Sequence, residues 1–515
     1  MADLKTFDYI VVGAGAAGSV VAHRLVKADK RVLLLEAGNN DNDERIYKTD
    51  IPSMTSMWGE DPVNWGYSTV PQDHLADRVI PIAQGRVLGG STAINAMMYV
   101  RGSRHDFDYW HTLGNDGWGY EDVLPFFKKS ETFEGGTSAY RGGDGLLDVI
   151  HYQNPAPSSS AFVAAAAELG YGDDEPHWDY NGAGHANHGF LYQSTRVSPE
   201  RRATTASAFL HPLQDNPNLT TEVNALASKV LIEDGAAVGV EYLQAGKTKR
   251  AYADAEVIIA AGSFASPKLL MLSGIGPATH LREHGITPIV DLAGVGQNLQ
   301  DHMLFGVGYE SKQDLPFPQL LSEAGLFVHT NAQDKQQVSA DLQFFFGPVQ
   351  YFDDKYKIEG SAFTFAPILA QPQSVGQVTL KTGDPRDLAV VNPHYLESER
   401  DVEVLVKGVE LARALAATSA LADFSGRELA PGKDVTSFDA LADYVRQSAS
   451  TVWHPVGTCK MGHDAAAVVN SQLQVHGVAN LRVADASVMP KITSGNTNAA
   501  TIMIGEKAAS LLQSV

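Results

Sequence analysis

The sequence predicts an α/β protein in which a domain built on a parallel sheet is interleaved with a second, α+β domain of sheet and helices. Three observations predict it. Phe7 to Gly38, FDYIVVGAGAAGSVVAHRLVKADKRVLLLEAG, reads as strand, tight turn, helix and strand. A chain of 515 residues is longer than one hydrophobic core can fill, so at least two domains are expected. Strand-like runs that could extend the first sheet recur within residues 219–261 and near the C-terminus, and the stretch between them carries strands and helices of its own.

The first unit is Rossmann-like. Tyr9 to Val12 is an apolar strand running into Gly13, which can take a backbone shape closed to bulkier residues. The missing side chain of Gly15 lets a pyrophosphate touch the main chain, and Gly18 lets the helix lie close to the sheet. A helix starting near Ala16 aims unpaired N–H groups and its positive end at the phosphates. Glu36, at the tip of the second strand, can accept hydrogen bonds from ribose hydroxyls and disfavours a 2′-phosphate. The motif by itself admits NAD or FAD.

Residues 39–72 are polar, Trp-bearing and without clean periodicity, which predicts a long ordered loop covering a ligand. Gly85 to Trp110, GRVLGGSTAINAMMYVRGSRHDFDYW, is dense in glycine, as close backbone approach to a flat or phosphorylated ligand requires. Residues 152–205 are loop-rich. After them, β-branched residues alternate with turns and end in an apolar strand, Glu256 to Ala261, a small sheet returning to the first domain. Residues 302–449 hold strands (ADLQFFF, GQVTLKT) and helices (RDVEVLVKGVELARALAA, DALADYVRQSA), and the chain closes with a strand and a helix over Ala500 to Gln513.

Composition narrows the function classes. Hydrophobic residues at 44% and charged residues at 19% suit a folded enzyme. The 60 acidic against 39 basic residues give a net charge of −21, which repels phosphate backbones and acidic lipids and argues against a nucleic-acid partner. Cys459 is the single cysteine, so no intrachain disulfide can form. No secretory signal precedes the first strand and apolar runs are broken before about 18 residues, so the expectation is a cytoplasmic protein without a membrane span.

The motifs resemble those of the glucose–methanol–choline flavin oxidoreductases, nearest to choline dehydrogenase-like and aryl-alcohol-oxidising members. Besides the N-terminal unit, GRVLGGSTAINAMMYVRG is similar to the first family signature and GSFASPKLLMLSGIGP to the second. HPVGTCKMG and SGNTNAATIMIGEK resemble its C-terminal active-site segments. The resemblance implies FAD, bound by residues 1–151, 206–301 and 450–515, with a substrate domain from 152–205 and 302–449. It also implies positions. Gly13, Gly15, Gly18 and Glu36 would hold the ADP part, and Val230 would meet the adenine through its backbone. Arg86, Val87, Gly90, Asn95 and Met97 would wrap the isoalloxazine and pyrophosphate, with Ala261, Asp485 and Ala486 completing the cradle. Ile94 stands where some relatives tether FAD to a histidine, so FAD is expected to be non-covalent.

The resemblance puts catalysis on His454 and on Asn498, 44 positions later. Hydride leaving an alcohol carbon for flavin N5 obliges the oxygen to shed a proton, and a neutral imidazole can take it. An asparagine cannot titrate but can share the oxygen's developing charge. The expected activity is oxidation of a primary alcohol to the aldehyde. Lyases and photodecarboxylases on the same scaffold are the rival class, which retention of both residues disfavours. Phe345, within Phe344 to Phe346, Val452 and Trp453 are candidate pocket walls. Glu310 lies where choline-oxidising relatives carry an acidic residue. Val452, two residues before His454, resembles a valine bordering an oxygen route, which leans the acceptor towards O₂ over a quinone. His105, His185, His188, His302 and His463 read as solvated or structural loop histidines, with no metal expected.

Overall fold

The computed structural model describes residues 6–331 and 338–513. Two large sheets organise them. The first has seven strands in the order Leu219–Glu222, Val32–Leu35, Thr6–Val12, Lys247–Ile259, Ala236–Gln244 and Leu226–Glu233, with Leu481–Val483 also pairing to Lys247–Ile259. Thr6–Val12 is parallel to Val32–Leu35 and to Lys247–Ile259, and Leu481–Val483 is parallel too. Val32–Leu35 is buried at every position, the continuous apolar run of a strand covered on both faces. Because these strands are parallel, their carboxyl ends meet on one edge. Gly13, Glu36, Ala261 and Asp485 follow them there, at the kind of crevice where α/β sheets bind ligands.

Two helices sit behind that edge. Ala16–Lys27 begins directly after the glycine turn, and Asn498–Gln513 packs along it. Gly505 lets them touch, since a Cβ there would lie 2.8 Å from the Ala17 carbonyl oxygen, and Gln513 Nε2 donates to the Arg24 carbonyl. Ala17 meeting Gly505 and Arg24 meeting Gln513 make the pair parallel, and with Ala16 and Asn498 lining the cavity two positive helix ends face it. Gly18 has the role expected of it: a Cβ would stand 1.9 Å from the Gly13 carbonyl oxygen.

The second sheet has eight strands, in the order Ser425–Ala430, Val307–Ser311, Ala362–Leu369, Leu342–Gly347, Ala324–Val328 and Gly189–Leu191, with Met303–Leu304 and Ser450–Thr451 attached. Helix Glu399–Ala416 covers one face through Val402, Leu405, Val409 and Leu415, which pack with Leu342, Phe344 and Phe346. The strands of the two sheets alternate along the chain. Ser450–Thr451 belongs to the second sheet although the sequence places 450–515 with the first domain, because Met303 pairs with Thr451. The expected loop over 39–72 contains a helix, Ile51–Ser56, started by the Asp50 carboxylate accepting from Ser53 N, and one strand of a ribbon, Tyr67–Ser68 with Pro81–Ile82. Its polar composition hid the short cap-and-turn signals.

Candidate active site

One long cavity runs from the carboxyl edge of the first sheet to the second sheet. At the first end Val12, Gly13, Gly15, Ala16, Glu36, Ala261, Asp485 and Ala486 line it, with Gly90, Asn95 and Met97 further along. Gly15 precedes helix Ala16–Lys27 without a side-chain cap, which leaves the first N–H groups for a phosphate. Glu36 accepts from Ala14 N at 3.0 Å and Gly38 N at 2.8 Å, and burial pushes its carboxyl up to about 7. Each oxygen keeps a lone pair for a ribose hydroxyl. Asp485 holds the opposite wall, accepting from Gly262 N at 2.9 Å and Ser487 N at 2.8 Å. A glycine cradle, an uncapped helix start and a buried carboxylate are the donor and acceptor set that FAD needs.

Four cofactor assignments change, the first being Gly18, which packs against the Gly13 carbonyl and does not line the cavity. Val230 is buried away from the cavity and spends its N–H on Ser273 Oγ at 2.8 Å; Ala225, Leu226 and Ala227, where that strand begins, line the cavity instead. Arg86 is exposed and lies over the Trp65 ring at 4.9 Å, and neither it nor the buried Val87 lines the cavity. The turn approaches the dinucleotide unit with its main chain: a Cβ on Gly38 would lie 1.9 Å from the Arg86 carbonyl oxygen.

At the far end the second sheet sets out the chemistry. Met303 pairs with Leu369 and with Thr451, so the residue before it, His302, sits between Ala370 and the 452–454 segment. Asp301 fastens this arrangement. Its Oδ1 accepts from His302 N at 2.9 Å and His454 N at 2.8 Å, and its Oδ2 from Thr451 Oγ1 and Tyr395 OH at 2.5 Å each. Trp453 is forced to φ +61°, a left-handed conformation rare for so large a residue. Thr451 Oγ1 accepts from Trp453 N at 2.7 Å, and Trp58 meets the Trp453 ring edge-on at 4.7 Å. The bend presents His454 to the cavity.

The imidazole chain has one direction. His302 Nε2 faces the Ala370 carbonyl oxygen at 3.1 Å, which can only accept, so that nitrogen carries the hydrogen. Burial holds His302 down to about 3, leaving it neutral with a bare Nδ1. His454 Nδ1 lies 3.0 Å away and donates to it. His454 Nε2 is left as a lone pair at the cavity, and burial, with His302 beside it, holds His454 well below the usual imidazole range. This is a base already free of its proton at neutral pH.

Asn496, not Asn498, meets that base. Its Nδ2 donates to His454 Nε2 at 3.3 Å, while Asn498 is the first residue of the last helix and lines the cavity without touching His454. The two asparagines are two residues apart in SGNTN, and counting along the chain cannot separate them: Asn496 lies in the loop before the last helix, whereas Asn498 is already that helix's first residue. Asp106 holds that loop, accepting from Ser494 N and Oγ at 2.8 Å. Asn496→Ala is therefore expected to slow flavin reduction about 10²-fold, the worth of one oxyanion donor. Asn498→Ala should cost less than a tenth of that, and stopped-flow reduction of both variants gives the comparison.

His302, read in the sequence as a solvated or structural loop histidine, is the missed residue; polar QDH before an apolar strand was the available signal. Val452, Trp453 and Phe345 line the cavity as expected, with Leu304 and Ala366 beside them. Phe344 faces the opposite core, as strand alternation requires. Glu310 does not line the cavity: it is part-exposed and paired with Arg427 at 3.1 Å. Ile94 is buried and lines the cavity near Asn95.

Residues 7–304 and 372–505 match two family models, both described as GMC oxidoreductase. Mitochondrial choline dehydrogenase of Mus musculus is 40% identical over 98% of this chain and 89% of its own. Alcohol dehydrogenase (acceptor) of Pseudomonas putida is 38% identical over 98% and 95%. Among solved structures, pyridoxine 4-oxidase from Mesorbium loti superposes with a TM-score of 0.93 at 30% identity, covering 99% of each chain. No helix among the described residues is long and apolar enough to cross a membrane.

Proposed function

The chain belongs to the GMC oxidoreductase family of FAD enzymes, and on that premise we propose that it oxidises an uncharged primary alcohol, aryl or aliphatic, to the aldehyde. The observation that carries this reading is an imidazole whose Nε2 faces the cavity and an amide donor that meets it there, at an end without a carboxylate. FAD, which Gly13, Gly15, Glu36 and Asp485 would hold and which Ile94 offers no side chain to tether, would supply a hydride acceptor at N5. The alcohol oxygen enters between Asn496 and His454, accepting from the amide and donating its hydrogen to His454 Nε2. As the C–H bond breaks, His454 takes the proton and Asn496 shares the charge on oxygen.

The substrate end argues against choline. Glu36 and Asp485 are the carboxylates lining the cavity among the described residues, and both stand at the dinucleotide end, engaged with Ala14, Gly38, Gly262 and Ser487. Leu304, Phe345, Ala366 and Val452 form an apolar wall of the cavity on the second sheet instead. Burying a quaternary ammonium there leaves it without a counter-charge. The same small apolar wall supports O₂ as the electron acceptor, since a neutral gas crosses it without desolvation cost.

Anaerobic mixing with benzyl-type and aliphatic primary alcohols is expected to bleach the oxidised flavin with saturation, and choline is expected to leave it yellow. Bleaching by choline at a comparable rate overturns the substrate reading; cyanide release from cyanohydrins without bleaching would make it a lyase. Air-saturated buffer should reoxidise the reduced enzyme within seconds. Persistence until a quinone is added would make the acceptor a quinone.

A further inference from the structure

Strand Leu342–Gly347 turns Leu342, Phe344 and Phe346 into the core beneath helix Glu399–Ala416 and turns Gln343 and Phe345 to the other side. Gln343 is fully buried and does not line the cavity. Its Nε2 lies 2.8 Å from Tyr192 OH and 3.5 Å from Asn496 Oδ1, while its Oε1 has no partner. Tyr192 OH is itself spent as a donor on the Phe344 carbonyl at 3.2 Å.

Resting on the His454–Asn496 reading, we propose that Gln343 is a positioning residue that fixes which end of the Asn496 amide meets the base. Asn496 can turn either its NH₂ or its oxygen to His454, and only the first leaves Nε2 a lone pair. Gln343 decides by offering Asn496 Oδ1 a hydrogen. The links then run in one sense from Gln343 through Asn496, His454 and His302 to the Ala370 carbonyl. Reversal is opposed at that carbonyl, where an unprotonated Nε2 would set lone pair against lone pair, so the carbonyl and Gln343 bias the chain in the same sense from its two ends. The Gln343–Asn496 contact is the longest link, of the kind that tightens once substrate binds.

An ionised carboxylate at this position accepts only, so it would draw the Asn496 NH₂ towards itself and set Oδ1 against His454. The base would then have to carry its hydrogen on Nε2. In Gln343→Glu, the reductive rate constant is expected to be near wild type at acidic pH and to fall about tenfold or more as the new carboxyl ionises, the worth of one misdirected hydrogen bond. Wild type should be flat over the same range. Nitrogen-15 histidine spectra should show the His454 proton moving from Nδ1 to Nε2 across that ionisation. Gln343→Met should slow reduction about tenfold alone and add nothing in an Asn496→Ala background. A flat profile for Gln343→Glu, or an equal cost of Gln343→Met in both backgrounds, would show that Gln343 merely braces Tyr192. Failure of the underlying reading is separate: His454→Ala and Asn496→Ala would then be as fast as wild type.

Discussion

His454→Ala is expected to fold, to keep its flavin and to lower the reductive rate constant by roughly 10² to 10⁴, the usual worth of general-base catalysis. The ring contributes one donor to His302 and one acceptor to Asn496, and no contact to the dinucleotide end of the cavity, so FAD capture does not depend on it. The pH dependence has a defined sign. Burial holds the imidazole well below its ordinary range, so the proton-free base is fully present at neutral pH. The wild-type rate should therefore stay level through neutrality and fall only on acidification below the usual imidazole range. A loss below about threefold in the variant, or a wild-type rate that climbs between pH 6 and 8, would assign the proton to another group.

Glu131→Ala should be the most damaging substitution for stability. Glu131 is completely buried and receives Arg101 Nη2 at 2.7 Å, Arg141 Nη2 at 2.5 Å and Gly142 N at 2.9 Å. Both arginines are buried as well, Arg101 donating onward to the Tyr140 carbonyl and Arg141 to Asp179 and Gln193. Removing the carboxylate leaves Arg101 without a counter-charge in the interior and Arg141 with Asp179 alone, which costs about 3–5 kcal/mol. Glu131→Gln keeps an acceptor and should lose less. Denaturant unfolding of the holoenzyme measures the difference, and a change under about 1 kcal/mol for the alanine variant would mean that water reaches the site.

What the sequence determined by itself is whatever depends on local geometry and residue type. Gly13, Gly15, Gly18 and Glu36 could be placed because a strand–turn–helix–strand unit imposes its spacing within about thirty residues. Helices Glu399–Ala416 and Phe438–Ser448 were legible from their apolar periodicity, and Leu342–Gly347 from its apolar run. The histidine of the HPVGT segment was legible from the motif around it. The tertiary structure decided what depends on register between distant strands. That His302 faces His454 follows from Met303 pairing with both Leu369 and Thr451, which no count along one strand can reveal. That Asn496 and not Asn498 reaches the base depends on a loop held by Asp106, nearly four hundred residues away in sequence. Glu310 failed as a substrate carboxylate because a strand residue's neighbours are set by the adjacent strand, and there Arg427 claims it at the surface. The elements were written locally. The direction of the hydrogen bonds through the site rests on contacts between residues far apart in sequence, beginning with the Ala370 carbonyl against His302, because a donor's role is fixed by what it faces.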